Sequence, residues 1–272
     1  MAYRIGTIAK LLGMSAEGIR MYERSGILSA QRENEENDYR SFDHLDITAL
    51  IRARGYHYCG FTTREIEKLI NSSDVEEVTE LYARKEEELR KEIVYKQLQM
   101  KCLEEFRQLT QEAEKKLFRI SVRERPALYR FEFIRDGELI LREDSEKAFR
   151  TWVGKTPMVF LSQMNSWEKL VQGETQVTAA LGILAEEAGE LELDTEYAKY
   201  YKKCPCLYTI VKEQGNQFCP SRCLAHVVDY VNRTGTRVTG NPIARTFLSM
   251  NKREDYTRYR QVWIPIEPGR EL

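Results

Sequence analysis

The chain has 272 residues, with 42 Lys and Arg against 43 Asp and Glu, a net charge of −1 at pH 7. That length accommodates about two domains, and the balanced charge gives no compositional pointer to a nucleic-acid partner. Hydrophobic residues make up 42% and mean hydropathy is −0.55, with no run near the ~20 apolar residues of a membrane span, so a charged, helix-rich globular protein without membrane attachment is expected. The N-terminal sequence mixes charge into its apolar pattern and has no signal-peptide core. Six cysteines without a framework spacing fit a reducing cytoplasm.

Ile5, Ile8, Ala9 and Leu12 predict a short amphipathic helix that ends at Gly13. Ser15 is an N-cap for a second helix carrying Ile19, Tyr22 and Glu23 and closed by Gly26. The polar stretch from Gln31 to Asp38 reads as a loop between Ile27-Leu28 and Tyr39-Arg40. Asp43 to Tyr58 is a third helix, with Leu45, Leu50, Ile51 and Ala53, and Thr62-Thr63-Arg64-Glu65 is a capping box that starts a fourth, holding Ile66, Leu69 and Ile70.

All seven prolines lie at or after Pro126, and no glycine occurs between Gly60 and Gly137. The stretch 61–125 therefore predicts largely continuous helix. Residues 76–117 hold nine basic and eleven acidic side chains, with one narrow apolar stripe at Leu89, Ile93, Leu98, Cys102, Phe106, Leu109, Ala113 and Leu117. A helix of that length reaches roughly 60 Å. Its stripe asks for a second helix, and a dimerising coiled coil is the expectation ahead of a solvated linker. Charged substitutions at Leu98 and Phe106 are then expected to dissociate the dimer.

After Pro126 the pattern turns to alternation. Tyr129, Phe131 and Phe133 share one strand face. Met158–Leu161, Leu207–Val211 and Val262-Trp263-Ile264 are further β runs, with helices over Glu143–Val153 and Cys219–Asn232. The domains expected are 1–73, helical; 74–118, the dimerisation helix; and 119–272, an α+β domain.

Two short helices around Gly13-Met14-Ser15 are a helix-turn-helix candidate, since a short second helix fits the major groove while Arg and Tyr reach phosphates. Arg20 and Tyr22 are its best-placed polar groups, and the loop ending in Tyr39-Arg40 is a candidate wing. Residues 1–72 nevertheless carry ten basic and ten acidic side chains, unlike the usual basic nucleic-acid binder.

The run Tyr3-Arg4-Ile5-Gly6-Thr7-Ile8-Ala9, Gly13-Met14-Ser15, Ile19-Arg20-Met21-Tyr22-Glu23, Gly26-Ile27-Leu28, Arg32 and Asn37-Asp38-Tyr39-Arg40 closely resembles the MerR family of transcriptional regulators. Gly60-Phe61-Thr62-Thr63-Arg64-Glu65-Ile66 resembles that family's junction between third and fourth helices. The resemblance covers residues 3–72. It implies a winged helix-turn-helix with Arg20, Tyr22, Tyr39, Arg40 and Thr62 at double-stranded promoter DNA, and an antiparallel dimerisation helix after it. By the same resemblance, a homodimer binds an inverted repeat, distorts the promoter and acts on RNA polymerase through that distortion. Met21, Ala30 and Asp38 depart from an aromatic, a proline and a glycine common at those places.

More loosely, Cys204-Pro205-Cys206-Leu207-Tyr208, Gly240-Asn241-Pro242 and Gln261-Val262-Trp263-Ile264-Pro265-Ile266 resemble the GyrI-like effector-binding domain of multidrug-sensing regulators. The resemblance implies an effector pocket. Trp152, Trp167, Tyr208, Phe247 and Trp263 are candidate aromatic walls, each also a plausible core residue, and Arg245 is a surface residue or an anion contact. Drug-sensing members bury an acid for a cationic ligand; here 241–248 contain Arg245 and no carboxylate, and Gln261 stands where Glu is frequent. A neutral or weakly charged aromatic effector is therefore expected, with Glu132 a substitute acid if its strand face points inward.

Cys204-x-Cys206 and Cys219-x3-Cys223 hold four thiols, the number a zinc site uses. The two pairs are separated by a strand's length, roughly 15–20 Å, so buried thiols are expected in place of a metal or redox centre. His44, His57 and His226 lack a nucleophile and carboxylate at catalytic spacing, and no glycine-rich phosphate loop occurs. No cofactor and no enzyme activity are expected. The alternative is a stand-alone small-molecule binder or hydrolase of the GyrI-like type with a helical interaction module.

Overall fold

A computed structural model describes residues 3–28, 31–34, 37–72, 74–215, 221–252 and 255–268, with backbone alone at 31–34, 37–41, 252 and 255. The chain falls into two compact units, residues 1–93 and 94–272.

The first unit contains β1 (Tyr3–Arg4), α1 (Ile5–Leu12), α2 (Ala16–Arg24), β2 (Gln31–Asn34), β3 (Asn37–Phe42), α3 (His44–Tyr58), α4 (Thr63–Asn71) and the first part of α5 (Val75–Lys116). Gly13 closes α1 in the left-handed region at φ 60°, its amide donating to the Ala9 carbonyl. Without a Cβ it turns the chain at no steric cost. Ser15 Oγ accepts from the Gly18 amide at 2.9 Å and caps α2, which begins at Ala16. The two caps make the turn tight. Ile8, Ile19, Tyr22, Leu50, Ala53, Ile66 and Leu69 form one core, joined by Leu81 of α5.

The polar stretch expected as a loop is a hairpin. β2 and β3 pair antiparallel, and β3 also pairs with β1. Gln31-Arg32-Glu33-Asn34 has no apolar alternation, so backbone ladder bonds hold this strand without a hydrophobic signature. On α3, Leu50 and Ala53 are buried whereas Leu45 and Ile51 are exposed. The polar Asp43 caps that helix, its Oδ1 accepting from the Leu45 and Asp46 amides.

The long helix is a single element of 42 residues, Val75–Lys116, but its apolar residues do not form one stripe. From Ile93 to Leu98 the step is five residues, and at 100° per residue this turns the pattern to the opposite face. Leu98, Cys102 and Ala113 are buried within the chain, and Phe106, Leu109 and Leu117 pack on its own sheet. Leu89, Ile93, Met100 and Leu103 are exposed, together with Tyr82. Their spacings of seven, four, seven and three keep these five on one narrow face.

The second unit is α+β. In chain order it holds β4 (Ser121–Arg125), β5 (Leu128–Arg135), β6 (Glu138–Leu139), α6 (Glu146–Val153), β7 (Phe160–Asn165), α7 (Trp167–Val171), β8 (Val177–Leu184) and α8 (Ala185–Glu190). There follow β9 (Lys199–Tyr201), β10 (Cys204–Gln214), α9 (Ala225–Thr234), β11 (Ile243–Lys252) and β12 (Asp255–Pro265). The strands make one antiparallel sheet in the order β4-β10-β12-β11-β7-β8-β5-β6, with β9 paired to β5. Val227 of α9 packs with Leu207, Val211, Ala244 and Ile264, and Trp152 of α6 with Phe131, Leu181 and Ile183. Ala113 of α5 lies with Tyr208, Phe247, Tyr259 and Trp263 in a third cluster. Cys219 and Ala30 lie outside the described residues.

Among the described residues, no helix is long and apolar enough to cross a membrane.

Candidate nucleic-acid interface and C-terminal cavity

On α2, alternate turns serve different purposes. Ile19 is buried and anchors the helix, and Arg20 beside it is open, its side chain 47% exposed. Its Nη1 donates to Glu17 Oε2 at 3.3 Å. Arg20 and Arg24 share that acid and hold its carboxyl below the usual range. Solvent screens so exposed a pair, so Arg20 can exchange Glu17 for another partner at little cost. Tyr22 is different. Its ring is in the core, 4% exposed, and burial pushes its phenol up. Three residues after Ile19, it falls on the same buried face, which spacing alone already required. Tyr22 is thus a core residue, and Met21, 41% exposed, stands on the open face instead.

Tyr39 and Arg40 lie on β3, where Arg40 stands opposite Arg32 of β2 in the register. Thr62 is exposed, but its hydroxyl is committed. Thr62 Oγ1 donates to Glu65 Oε2 at 2.9 Å and accepts from the Glu65 amide at 3.3 Å, while the Thr62 amide donates to Glu65 Oε2 at 2.8 Å. These bonds bring the Glu65 carboxyl down to about 2, with Arg84, 2.6 Å away, adding to the effect.

A depressed carboxylate stabilises the fold fully above its ordinary value of 4.5 and loses that contribution as pH falls toward about 2. Urea melts of the wild type should therefore weaken across that window, and Glu65→Gln should flatten the decline. Thr62→Ala should cost ~1–2 kcal/mol through loss of the cap. A melt of Thr62→Ala identical to wild type at pH 7 would contradict the capping role.

In the second unit the six expected effector residues do not gather at one site; three share a core cluster and the others lie apart. Trp152, on the buried face of α6, is 1% exposed, and its Nε1 donates to the Asp194 carbonyl at 2.8 Å. Trp167 packs at the α9 cluster. Tyr208, Phe247 and Trp263 fill the third cluster, where Gln261 Nε2 donates to the Tyr208 hydroxyl at 3.1 Å. Arg245 is neither on the surface nor in a cavity. It is 3% exposed, its Nη1 donates to Glu105 of α5 at 2.8 and 2.9 Å, and its guanidinium lies 4.7 Å from the Phe160 ring centre. Burial raises the nearby Glu187 carboxyl, which Arg245 partly offsets. The aromatics are core because each sits on a strand or helix face already covered.

Two adjoining hollows of about 520 and 400 Å³ lie elsewhere and share Met164, Lys199, Tyr201 and Asn241. None of the six expected residues lines either. Glu132 does line the larger one, so its strand face points inward. It is not a free acid: Arg130 Nη1 and Arg135 Nη2 reach its carboxylate at 3.3 and 3.2 Å. Arg130 itself is buried, its Nε donating to Ser162 Oγ at 3.0 Å.

Cys204 and Cys206 face each other with sulfurs 3.7 Å apart, and burial first, then Cys204, pushes the Cys206 thiol up to about 12. Such a thiol stays protonated near neutral pH. Among the described residues no group of three His, Cys, Asp or Glu side chains gathers as a metal site. His226 Nε2 lies 3.1 Å from Thr209 Oγ1, a contact that spacing did not reveal. Thr209 is fully buried, which closes its hydroxyl to any substrate.

Residues 3–73 match the family model described as MerR HTH family regulatory protein. The chain is 35% identical over 77 residues to the mercuric resistance operon regulatory protein of Bacillus cereus, covering 28% of this chain and 58% of that protein. It thus spans a little over half the length of this curated relative. Among solved structures, it is similar to EcmrR in its complex with DNA, at 15% identity over 97% of this chain and 99% of that one, with a TM-score of 0.36. HiNmlR, a MerR family regulator lacking the sensor domain and bound to promoter DNA, matches at 22% identity over 42% of this chain and 94% of its own, TM-score 0.34. A hydrolase from Listeria innocua matches at 14% identity over 58% of this chain and 98% of its own, TM-score 0.33. Residues 3–73, with their two capped helices and paired strands, form a helix-turn-helix domain of the MerR type.

Proposed function

We propose that the chain is a homodimeric transcriptional regulator of the MerR type that binds double-stranded promoter DNA and distorts it in response to a small effector. The observation that carries this reading is the capped α1-turn-α2 pair, which leaves Arg20 open over a closed core within the segment matched to that family. In the reading, α2 enters the major groove with Arg20 at base edges or phosphate, and the β2–β3 hairpin is the wing, with Tyr39 and Arg40 against the backbone. Thr62 contributes by fixing the start of α4.

Dimerisation uses the exposed face of α5, Tyr82, Leu89, Ile93, Met100 and Leu103, against the same face of a second copy running antiparallel. The second unit, in the GyrI-like manner, is the sensor. RNA polymerase responds to the distorted promoter, whose elastic cost is of order 1–6 kcal/mol and is shifted by effector binding. The protein works in the cytoplasm and is not an enzyme.

The test is a gel shift and footprint on the promoter region of its own gene. Protection of an inverted repeat, with affinity falling as salt rises, is the expected result. Absence of binding at low salt overturns the reading.

A further inference from the structure

We propose that the paired hollow around Tyr201 is a binding site for a small aromatic anion, a carboxylate or a phosphate monoester. The inference rests on the reading of the second unit as a sensor and names its ligand class. Tyr201 lines both halves of the hollow and is surrounded by cations: Arg125, Arg130 and Lys199 lie 5.8, 5.9 and 5.5 Å from its ring centre. A ring so flanked offers a stacking face bordered by donors.

The charges of the lining do not cancel. Arg125, Arg130, Arg135, Lys199 and Lys202 stand against Glu132 and Asp136. Glu132 is already shared by two guanidiniums, so it has no remaining charge to offer a cationic ligand. Asp136 sits on the exposed turn between β5 and β6.

Arg125 supplies the sharpest signal. It is 3% exposed, its Nη2 donates only to the Lys202 carbonyl at 2.8 Å, and its Nε has no hydrogen-bond partner among the described residues. No carboxylate pairs with Arg125, Lys199 or Lys202 among those residues. A buried guanidinium without a counter-charge is costly, and an oxyanion placed between it and the two lysines supplies the missing partner through charge-assisted hydrogen bonds. The combined space, 520 and 400 Å³ in its two parts, suits a ligand of one or two rings. Tyr201 and Tyr197 provide flat walls for such rings.

The experiment titrates the full-length protein calorimetrically with four matched probes: 2-naphthoate, 2-naphthyl phosphate, 2-naphthamide and 2-naphthylmethylammonium. At least one anion should bind about tenfold or more tightly than the neutral amide, with the ammonium weakest, and the order of the two anions identifies the head group. The double variant Lys199→Gln with Lys202→Gln changes exposed side chains, and should cut anion affinity by about tenfold or more while leaving thermal unfolding unchanged. Preference for the ammonium, or anion binding indifferent to the double variant, would overturn the proposal and leave the sensor reading standing. Failure of all four probes to bind at millimolar concentration would overturn the proposal and remove its support for a sensor as well.

Discussion

Leu103→Asp combined with Met100→Asp should turn the protein into a folded monomer that no longer binds its operator. Both residues are 62% exposed on the face of α5 that also carries Leu89 and Ile93. In a single chain these side chains touch mainly water, so the substitutions cost the folded monomer little. In an antiparallel pair each meets its counterpart region, and a carboxylate there is buried without a partner, at several kcal/mol. Operator binding falls with assembly, because two half-sites must be held together. Leu98→Asp should behave differently. Leu98 is 4% exposed inside its own chain, so a charge there destabilises the fold itself, by about 3 kcal/mol or more. Light scattering and urea unfolding separate the two cases. A dimeric Met100→Asp/Leu103→Asp protein would refute the assignment of the face.

Arg20→Ala should abolish specific operator binding and leave folding and assembly intact. A lost recognition contact costs ~1–3 kcal/mol in each subunit, hence ~2–6 kcal/mol for the dimer, a fall of about thirty-fold to twenty-thousand-fold in affinity. Its present bond to Glu17 is an exposed ion pair, so removing it disturbs no core. Tyr22→Phe is the matching control: the ring stays in the core and binding should persist. Operator affinity unchanged in Arg20→Ala would show that α2 is not the recognition helix.

Local chemistry made the first unit largely legible before any coordinates. Gly13, Ser15 and the Thr62 capping box act through hydrogen bonds within a few residues, so the helices they bound are set by short-range rules. The hairpin escaped because the sequence of its strands, Gln31–Asn34 and Asn37–Phe42, carries no alternation of apolar residues. In the second unit, β5 is visible as alternation and parts of β7, β10 and β12 as short β-rich runs, whereas β8, an almost unbroken apolar run at Val177–Leu184, carries no such signal. The candidate pocket fared worst. Burial of Trp152, Phe247 and Trp263 depends on which strands become neighbours, and β11 pairs with β7 across nearly eighty residues of chain. Arg245 was misread for the same reason: its partner Glu105 lies 140 positions away. The basic lining around Tyr201 combines Arg125, Arg130 and Lys199, whose separation in sequence leaves no motif to find.

The helix α5 also constrains how such regulators can exchange parts. Phe106, Leu109, Ala113 and Leu117 close the cluster that contains Tyr208, Phe247 and Trp263, so these turns belong to the folding unit of the sheet. A gene fusion joined at residue 119 would deliver the sheet without one wall of its interior. A junction placed near Val94, at the division between the compact units, transfers the sheet with its own covering turns. Recombination between regulators is thus expected to leave its scars inside the long helix, upstream of the compositional border that the eye first picks out.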